Sequence, residues 1–354
     1  MQKVNYWLLN ELKVPGSNEY GRVDRVAGWF LLARMYLNAQ TWINENKYQE
    51  AYIYATKVIA DGHYPLASDY REIFLADNNT CKEIIWPLVQ DGLRAQSSAG
   101  TNFYVKAFVN GPMDELYKTG VGSRGWGNVR AKVSLVDAFD ADDVMFDGND
   151  TWGNNKKDKR AQFMTALPNQ VKDTWDVNMD MTSTFTCGYG YIKWRNVTKE
   201  DELSASGDAY TSIDFPLFRT ADAYLMAAEA ILRGASGTKS EALGYVNEVR
   251  TRAYMSGKYA KNGVRSDVSG EIGANELDLD FLLLERQKEL ASELIRRTDL
   301  IRFGKYTKGN NWDWKNGVRL GEDVDDKYNL FPIPESELTN NPTLVQNDGY
   351  KVIK

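Results

Sequence analysis

Apolar positions recur at helical spacing in several long stretches of the chain, and the segments between them lose that period. From Val23, apolar residues at Trp29, Leu32, Ala33, Tyr36, Leu37 and Ala39 predict a helix. After Asn44-Glu45-Asn46 a second helix follows through Tyr48, Ala51, Tyr52, Ala55, Val58 and Ile59, stopping at Asp61-Gly62. Together they make a hairpin of roughly forty residues with alanines at close-packing positions, the logic of a tetratricopeptide repeat. The pattern recurs at Ala221–Ile231 and Ser240–Ala253, on either side of a turn from Gly234 to Gly237, and a third helical block spans Glu276–Phe303. One hairpin cannot bury its own apolar face, so such units stack and leave a concave side for partners. Residues 4–13 predict the end of a further helix, closed by the breaker Pro15-Gly16-Ser17-Asn18.

Residues 84–218 are different. Ile84–Val89 and Tyr191–Trp194 predict short strands and Ser134–Phe139 a short helix, but Asp91–Arg130 is rich in Gly, Ser, Asn and aromatics with little period. Long irregular segments with this many rings are binding loops rather than disorder. The expected fold is therefore all-α dominated: a tetratricopeptide-like helical scaffold over 1–83, a loop-rich ligand-binding region with a few short strands over 84–218, and tetratricopeptide-like helices over 219–354, packed as one unit.

Within the third helical block, Glu285, Glu289 and Glu293 stand at i, i+4 and i+8. On a single helix running to a C-cap at Gly304 they would stack on one face. Such a ladder is either a metal or acid/base site, or a set of carboxylates neutralised by Arg286, Arg296, Arg297 and Arg302. Adjacent arginines oppose the raised pKa that a general acid needs, which favours a partly buried brace between hairpins.

Composition narrows the chemistry. Ten Trp and 20 Tyr exceed what a core needs, and rings with a polar handle suit a surface that binds flat, partly polar partners. A net charge of -6, with no Lys or Arg runs, argues against nucleic acid. Cys81 and Cys187 have no ligand-like spacing, and the single histidine, His63, reads as a helix-end residue, which removes His-based triads and metal sites. No apolar run reaches membrane-spanning length. No cofactor is expected. A loop carrying Asp140, Asp142, Asp143, Asp147 and Asp150 offers oxygen ligands to a structural calcium ion, but its spacing departs from the EF-hand pattern and a solvated acidic turn is the simpler reading. Trp312 and Trp314 read as a lid packed on the third helical block.

A flat, partly polar partner presents apolar faces to rings and polar groups to amides and charges. The best local candidate for such chemistry is Gly125-Trp126-Gly127-Asn128-Val129-Arg130: the glycines uncover the Trp126 ring, and Asn128 and Arg130 supply hydrogen bonds. Phe103 and Tyr104 lie upstream in the same irregular region as further rings, Tyr104 on a strand if Val105 and Phe108 set the pattern. Tyr117 is another candidate. The competing reading makes Trp126 a plug packed under a loop.

Several pieces, taken in order, carry a resemblance. Ala221-Asp222-Ala223-Tyr224-Leu225 with Ala228-Glu229-Ala230, Val246-Asn247-Glu248-Val249-Arg250 with Arg252-Ala253, Glu285-Arg286 through Asp299-Leu300-Ile301-Arg302, and Phe331-Pro332-Ile333-Pro334 with Gln346-Asn347-Asp348-Gly349-Tyr350 resemble the C-terminal half of the SusD/RagB family of outer-membrane glycan-binding lipoproteins of Bacteroidota. Arg22–Ala39, Asp91–Ser97 and Gly125-Trp126-Gly127 bring the chain near the family's starch-binding founder. The resemblance implies a helical scaffold with a glycan site on loops, capture of oligosaccharide or polysaccharide at the cell surface, with an α-glucan favoured, and delivery to a SusC-like TonB-dependent porin. It further implies a lipid anchor on an N-terminal cysteine and a family N-terminal portion, so the sequence is expected to be a fragment of a longer protein that carries both. By the same resemblance, Trp126 and a tyrosine such as Tyr104 would belong to an aromatic arc. Two other classes stay open: a glycoside hydrolase with paired carboxylates about 5–10 Å apart, and a helical-repeat scaffold for a protein partner.

Overall fold

A computed structural model describes residues 6, 11–110, 114, 117–144, 156–164, 189–255, 269–309, 318 and 321–351. The chain forms two compact units, Met1–Glu293 and Leu294–Lys354. The expected helix over 4–13 lies largely outside the described residues, as do Cys187, Asp147, Asp150, Trp312 and Trp314.

The first unit is built on stacked helices. Helix α1 (Arg25–Leu37) starts where the Asp24 carboxylate accepts from Val26 N at 2.9 Å and Ala27 N at 3.2 Å, and its other oxygen takes the Tyr64 hydroxyl at 2.7 Å. A short α2 (Ala39–Ile43) turns the chain into α3 (Tyr48–Asp61), which stops at Gly62 with φ of 78°, a left-handed C-terminal position that suits glycine. Later come α7 (Thr220–Leu232), α8 (Lys239–Met255) and α9 (Leu279–Leu290). Helix α3 packs on α1 and on α7, and α7 packs on α8 and α9. Alanines make this stacking close: Ala51 and Ala55 of α3 share one buried core with Val26, Phe30 and Ala33 of α1 and with Ala223, Ala227 and Ala230 of α7.

Between the hairpins, β1 (Ile84–Leu88) pairs antiparallel with β4 (Phe215–Arg219), a strand absent from the sequence-based expectation. The ribbon has two strands, so each is an edge, and it tolerates Pro87 opposite Pro216. Helix α4 (Thr101–Ala107), α5 (Val133–Val136) and α6 (Ala141–Val144) interrupt the loops. Phe163–Met164 (β2) pairs with Gly190–Tyr191 (β3), so the expected strand at Tyr191–Trp194 begins one residue earlier and ends after Tyr191. Tyr70, Phe74, Trp194 and Phe215 fill a second core, with Trp194 stacked on Phe215 at 5.5 Å. Among the described residues no helix is long and apolar enough to cross a membrane.

The third helical block differs from expectation. Helix α9, capped by Asp278 through Phe281 N at 2.8 Å, ends at Leu290, and Ser292 and Leu294 both adopt a φ of 62° before a separate helix begins. Glu293 therefore sits in a turn, not on a third rung of one helix.

The carboxylates are fully buried, and their partners come from outside the block. Arg160 reaches Glu285 at 2.5 Å and Glu289 at 3.2 Å, and Arg250 reaches Glu285 at 2.6 Å. Arg219 and Arg252 also bind Glu289, Lys193 Nζ donates to Glu293 at 2.6 Å, and Glu83 joins through Arg219 and Arg252. With Asp158, which forks onto Arg160, five carboxylates face five cations among the described residues. Of the arginines expected to neutralise the ladder, Arg286 bonds Asp222 at 2.8 Å and Arg302 bonds Asp299 at 2.8 Å.

In the second unit, α10 (Arg296–Arg302) ends on Gly304 with φ of 69°, as the cap pattern predicts, and Lys305 N donates to Leu300 O at 2.7 Å. The Gln346 side-chain amide brackets Ile333, accepting from its N at 2.8 Å and donating to its O at 2.9 Å. Asn347 donates to Phe331 O and Tyr350 OH to Leu330 O, both at 2.8 Å. A short α11 (Glu335–Asn340) lies between the two bonded segments.

Candidate functional site

The candidate rings come together through the end of a short helix. Helix α4 begins after Gly100 and is pinned to the 209–213 segment: Thr101 Oγ1 donates to Ile213 O at 2.7 Å and Lys106 Nζ to Ala209 O at 2.5 Å. A helix leaves its last carbonyls without partners inside it. Here the Trp126 loop supplies them, with Trp126 N donating to Lys106 O at 2.7 Å and Asn128 N and Val129 N to Ala107 O at 2.8 Å. Capping the helix thus fixes the loop, and the loop sets Trp126 beside Phe103, their ring centroids 6.2 Å apart and tilted by 59°.

Both rings face solvent, Trp126 at 37% and Phe103 at 43% relative exposure. Trp126 is not a plug beneath the loop. Tyr104, the next residue on α4, is half-buried and packs against Trp194 at 5.4 Å and Phe215 at 5.7 Å, with its ring 5.9 Å from Phe103. It lies on a helix, where successive side chains diverge by about 100°, and not on a strand as Val105 and Phe108 suggested. Asn128 is exposed and Arg130 half-buried, while Tyr117 is buried in the second core.

The glycines act otherwise than by uncovering the ring. A Cβ on Gly125 would stand 2.5 Å from Val109 O and 2.9 Å from Asn110 Cα, so only glycine lets the two backbones approach. Gly127 has a φ of 58° and donates its N–H to Val109 O at 2.8 Å. Upstream, Asp114 folds the turn that leads in, accepting from Thr119 Oγ1 at 2.5 Å, Val121 N at 3.1 Å and Gly122 N at 2.9 Å. Nothing in the periodicity of Asp91–Arg130 signalled α4 or these contacts; the clue available was the pair of glycines.

The other candidate chemistry resolves into structure. Burial alone would push the Glu289 carboxyl up, but Arg252, Arg219 and Arg160 overcome it and hold it at about 2. Burial brings the Lys193 ammonium down to about 8 despite Glu293. These groups have no exposed face for a substrate. Of the acidic loop, Asp140 and Asp142 are exposed, and Asp143 is buried and accepts from Lys157 N at 2.6 Å and Asp158 N at 3.1 Å. Among the described residues no group of three or more His, Cys, Asp or Glu is placed to hold a metal ion. His63 stands at a helix end, its Nδ1 2.7 Å from Asp61. Burial pushes the Cys81 thiol up to about 12.

Comparison with known proteins adds a second line of observation. The profile of the SusD family matches residues 82–350. The starch-binding protein SusD of Bacteroides thetaiotaomicron is 33% identical, over 97% of this chain and 64% of its own length. The SusD-like protein P25 of Formosa agariphila is 25% identical, over 98% of this chain and 62% of its own length. The chain thus spans somewhat less than two thirds of these relatives. Among solved structures, a SusD-like protein of Bacteroides fragilis superposes with a TM-score of 0.67 at 21% identity, covering 99% of this chain and 70% of that one. Surface glycan-binding protein A of Bacteroides thetaiotaomicron in complex with laminarihexaose superposes with a TM-score of 0.62 at 22% identity, covering 98% and 70%.

Proposed function

This chain belongs to the SusD family, and on that premise we propose that it captures oligosaccharide or polysaccharide without cleaving it. The observation that carries the reading is the exposed Trp126–Phe103 pair, held 6.2 Å apart by backbone hydrogen bonds to the end of α4. Two tilted rings offer a curved apolar surface to the C–H faces of successive sugars, and Asn128 and Arg130 follow on the same loop to meet hydroxyls. Tyr104 packs edge-on against Phe103 and contributes through that contact. An open platform of this kind gains affinity from repeated units, so polymers suit it better than single sugars.

An α-glucan is the first ligand to test, since one relative is named for starch binding. Laminarihexaose, bound by a structural relative, is the second. The reading further places the protein at the outer-membrane surface, lipid-anchored, handing glycan to a TonB-dependent porin of the SusC type. A non-catalytic role is supported by the ladder: Glu285, Glu289 and Glu293 are buried and each is engaged by Arg or Lys, so none is placed beside the rings as a general acid. Electrophoresis through native gels cast with starch, followed by an assay for new reducing ends, tests the proposal. Retarded migration with no reducing ends is expected; release of reducing ends would contradict it.

A further inference from the structure

An exposed ion pair stands on the turn that leads into the Trp126 loop. Arg124 Nε donates to Asp208 Oδ1 at 3.0 Å, with both side chains substantially open to solvent. Pairs this exposed add little to folding, yet its placement is shared with the rings. Arg124 closes the 3-10 turn Gly122–Arg124 and is separated from Trp126 only by the extended Gly125. Asp208 packs against Gly122, where an added Cβ would come within 2.9 Å of Asp208 Oδ2. Asp208 also precedes Ala209, whose carbonyl holds Lys106 on the helix that presents Phe103. The segments that set the rings therefore also set the ion pair. Among the described residues, the Arg124 Nη groups and Asp208 Oδ2 make no hydrogen bond.

We propose that Arg124 and Asp208 form the hydrogen-bonding arm of a subsite for a neutral pyranose adjoining the Trp126–Phe103 platform. The inference rests on the glycan-capture reading and names its substrate class. A guanidinium offers only donors and a carboxylate only acceptors, whereas each sugar hydroxyl does both. Two neighbouring hydroxyls satisfy the pair together, one accepting from an Arg124 Nη group and the next donating to Asp208. A uronic acid would bring a second carboxylate against Asp208, and this repulsion offsets what Arg124 would gain from that carboxylate, so the pair favours the neutral sugar.

Titration calorimetry of wild type, Arg124→Met, Asp208→Asn and Trp126→Ala against maltoheptaose, laminarihexaose and an oligogalacturonate of similar length tests this. Arg124→Met is expected to weaken the neutral glycan that wild type binds by about three- to tenfold, the loss of one charge-assisted hydrogen bond in a partly solvated site. Asp208→Asn is expected to raise oligogalacturonate binding relative to wild type. Both variants should melt within about 2 °C of wild type, as an exposed pair implies. If Trp126→Ala loses binding while Arg124→Met binds like wild type, this inference is overturned and glycan capture stands. Wild type binding oligogalacturonate as well as the neutral chains would also overturn it, and wild type binding none of the three would overturn both.

Discussion

Arg219 Nη1 donates to the Glu289 carboxylate at 2.7 Å and ties the end of β4 to the last turn of α9. The same guanidinium holds Glu293 through Nε at 2.6 Å and Nη2 at 2.8 Å, so one side chain bridges the helix and the turn that follows. Because Arg219 immediately precedes α7, strand, helical hairpin and third helical block meet at a single buried charge.

Removing one member of this network should cost more than the network itself contributes. Glu289→Ala leaves Arg160, Arg219 and Arg252 short of a buried counter-charge and is expected to destabilise the fold by about 3–5 kcal/mol, the usual range for breaking a buried pair. Glycan affinity measured well below the lowered melting temperature should match wild type. A Glu289 variant that melts normally but no longer binds glycan would return the ladder to the functional site.

The same carboxylate sets an acid sensitivity. Its folded-state value of about 2 lies below the ordinary 4.5, so the unfolded chain takes up this proton first as pH falls. Its stabilisation is complete above about pH 4.5 and drains away toward about pH 2. Urea midpoints should fall steeply across that window in wild type and less steeply in Glu289→Gln, which has no proton to gain there. Parallel declines in the two proteins would contradict the assignment.

Gly125→Ala probes how the loop is held. The new methyl meets the Val109 and Asn110 backbone, which cannot swing aside as a side chain could. The loop must shift, at a cost of about 1–3 kcal/mol typical of overpacking. Glycan binding should drop by at least the amount seen on removing the ring, while far-ultraviolet circular dichroism keeps its helical signature. Unchanged binding would mean the Trp126 loop is not positioned by this contact.

Much of the scaffold was legible because α1, α3 and α8 bury apolar residues at helical spacing, and period is what a sequence displays, while α7, buried almost all round, shows itself as an alanine-rich apolar run. The break after Leu290 was not: Ser292 and Leu294 adopt left-handed backbone without a glycine or proline to mark it. The ladder's cations were equally hidden, since Arg160, Arg219, Arg250, Arg252 and Lys193 come from distant segments and nearby arginines offered a simpler account. At the site, Trp126 and Phe103 were identifiable as residues, but their juxtaposition depends on a seven-residue helix whose carbonyls the loop completes. Alternating apolar residues around Tyr104 imitated a strand, and its ring turned into the second core.

The most direct test is calorimetric titration of wild type and Trp126→Ala with maltoheptaose and laminarihexaose, with the recovered ligand checked for cleavage. The account predicts binding of at least one glycan, recovery of intact oligosaccharide, and a loss on Trp126→Ala of about 2 kcal/mol, roughly thirtyfold, as for a central aromatic contact. Equal binding by wild type and Trp126→Ala, or cleaved ligand, would contradict it.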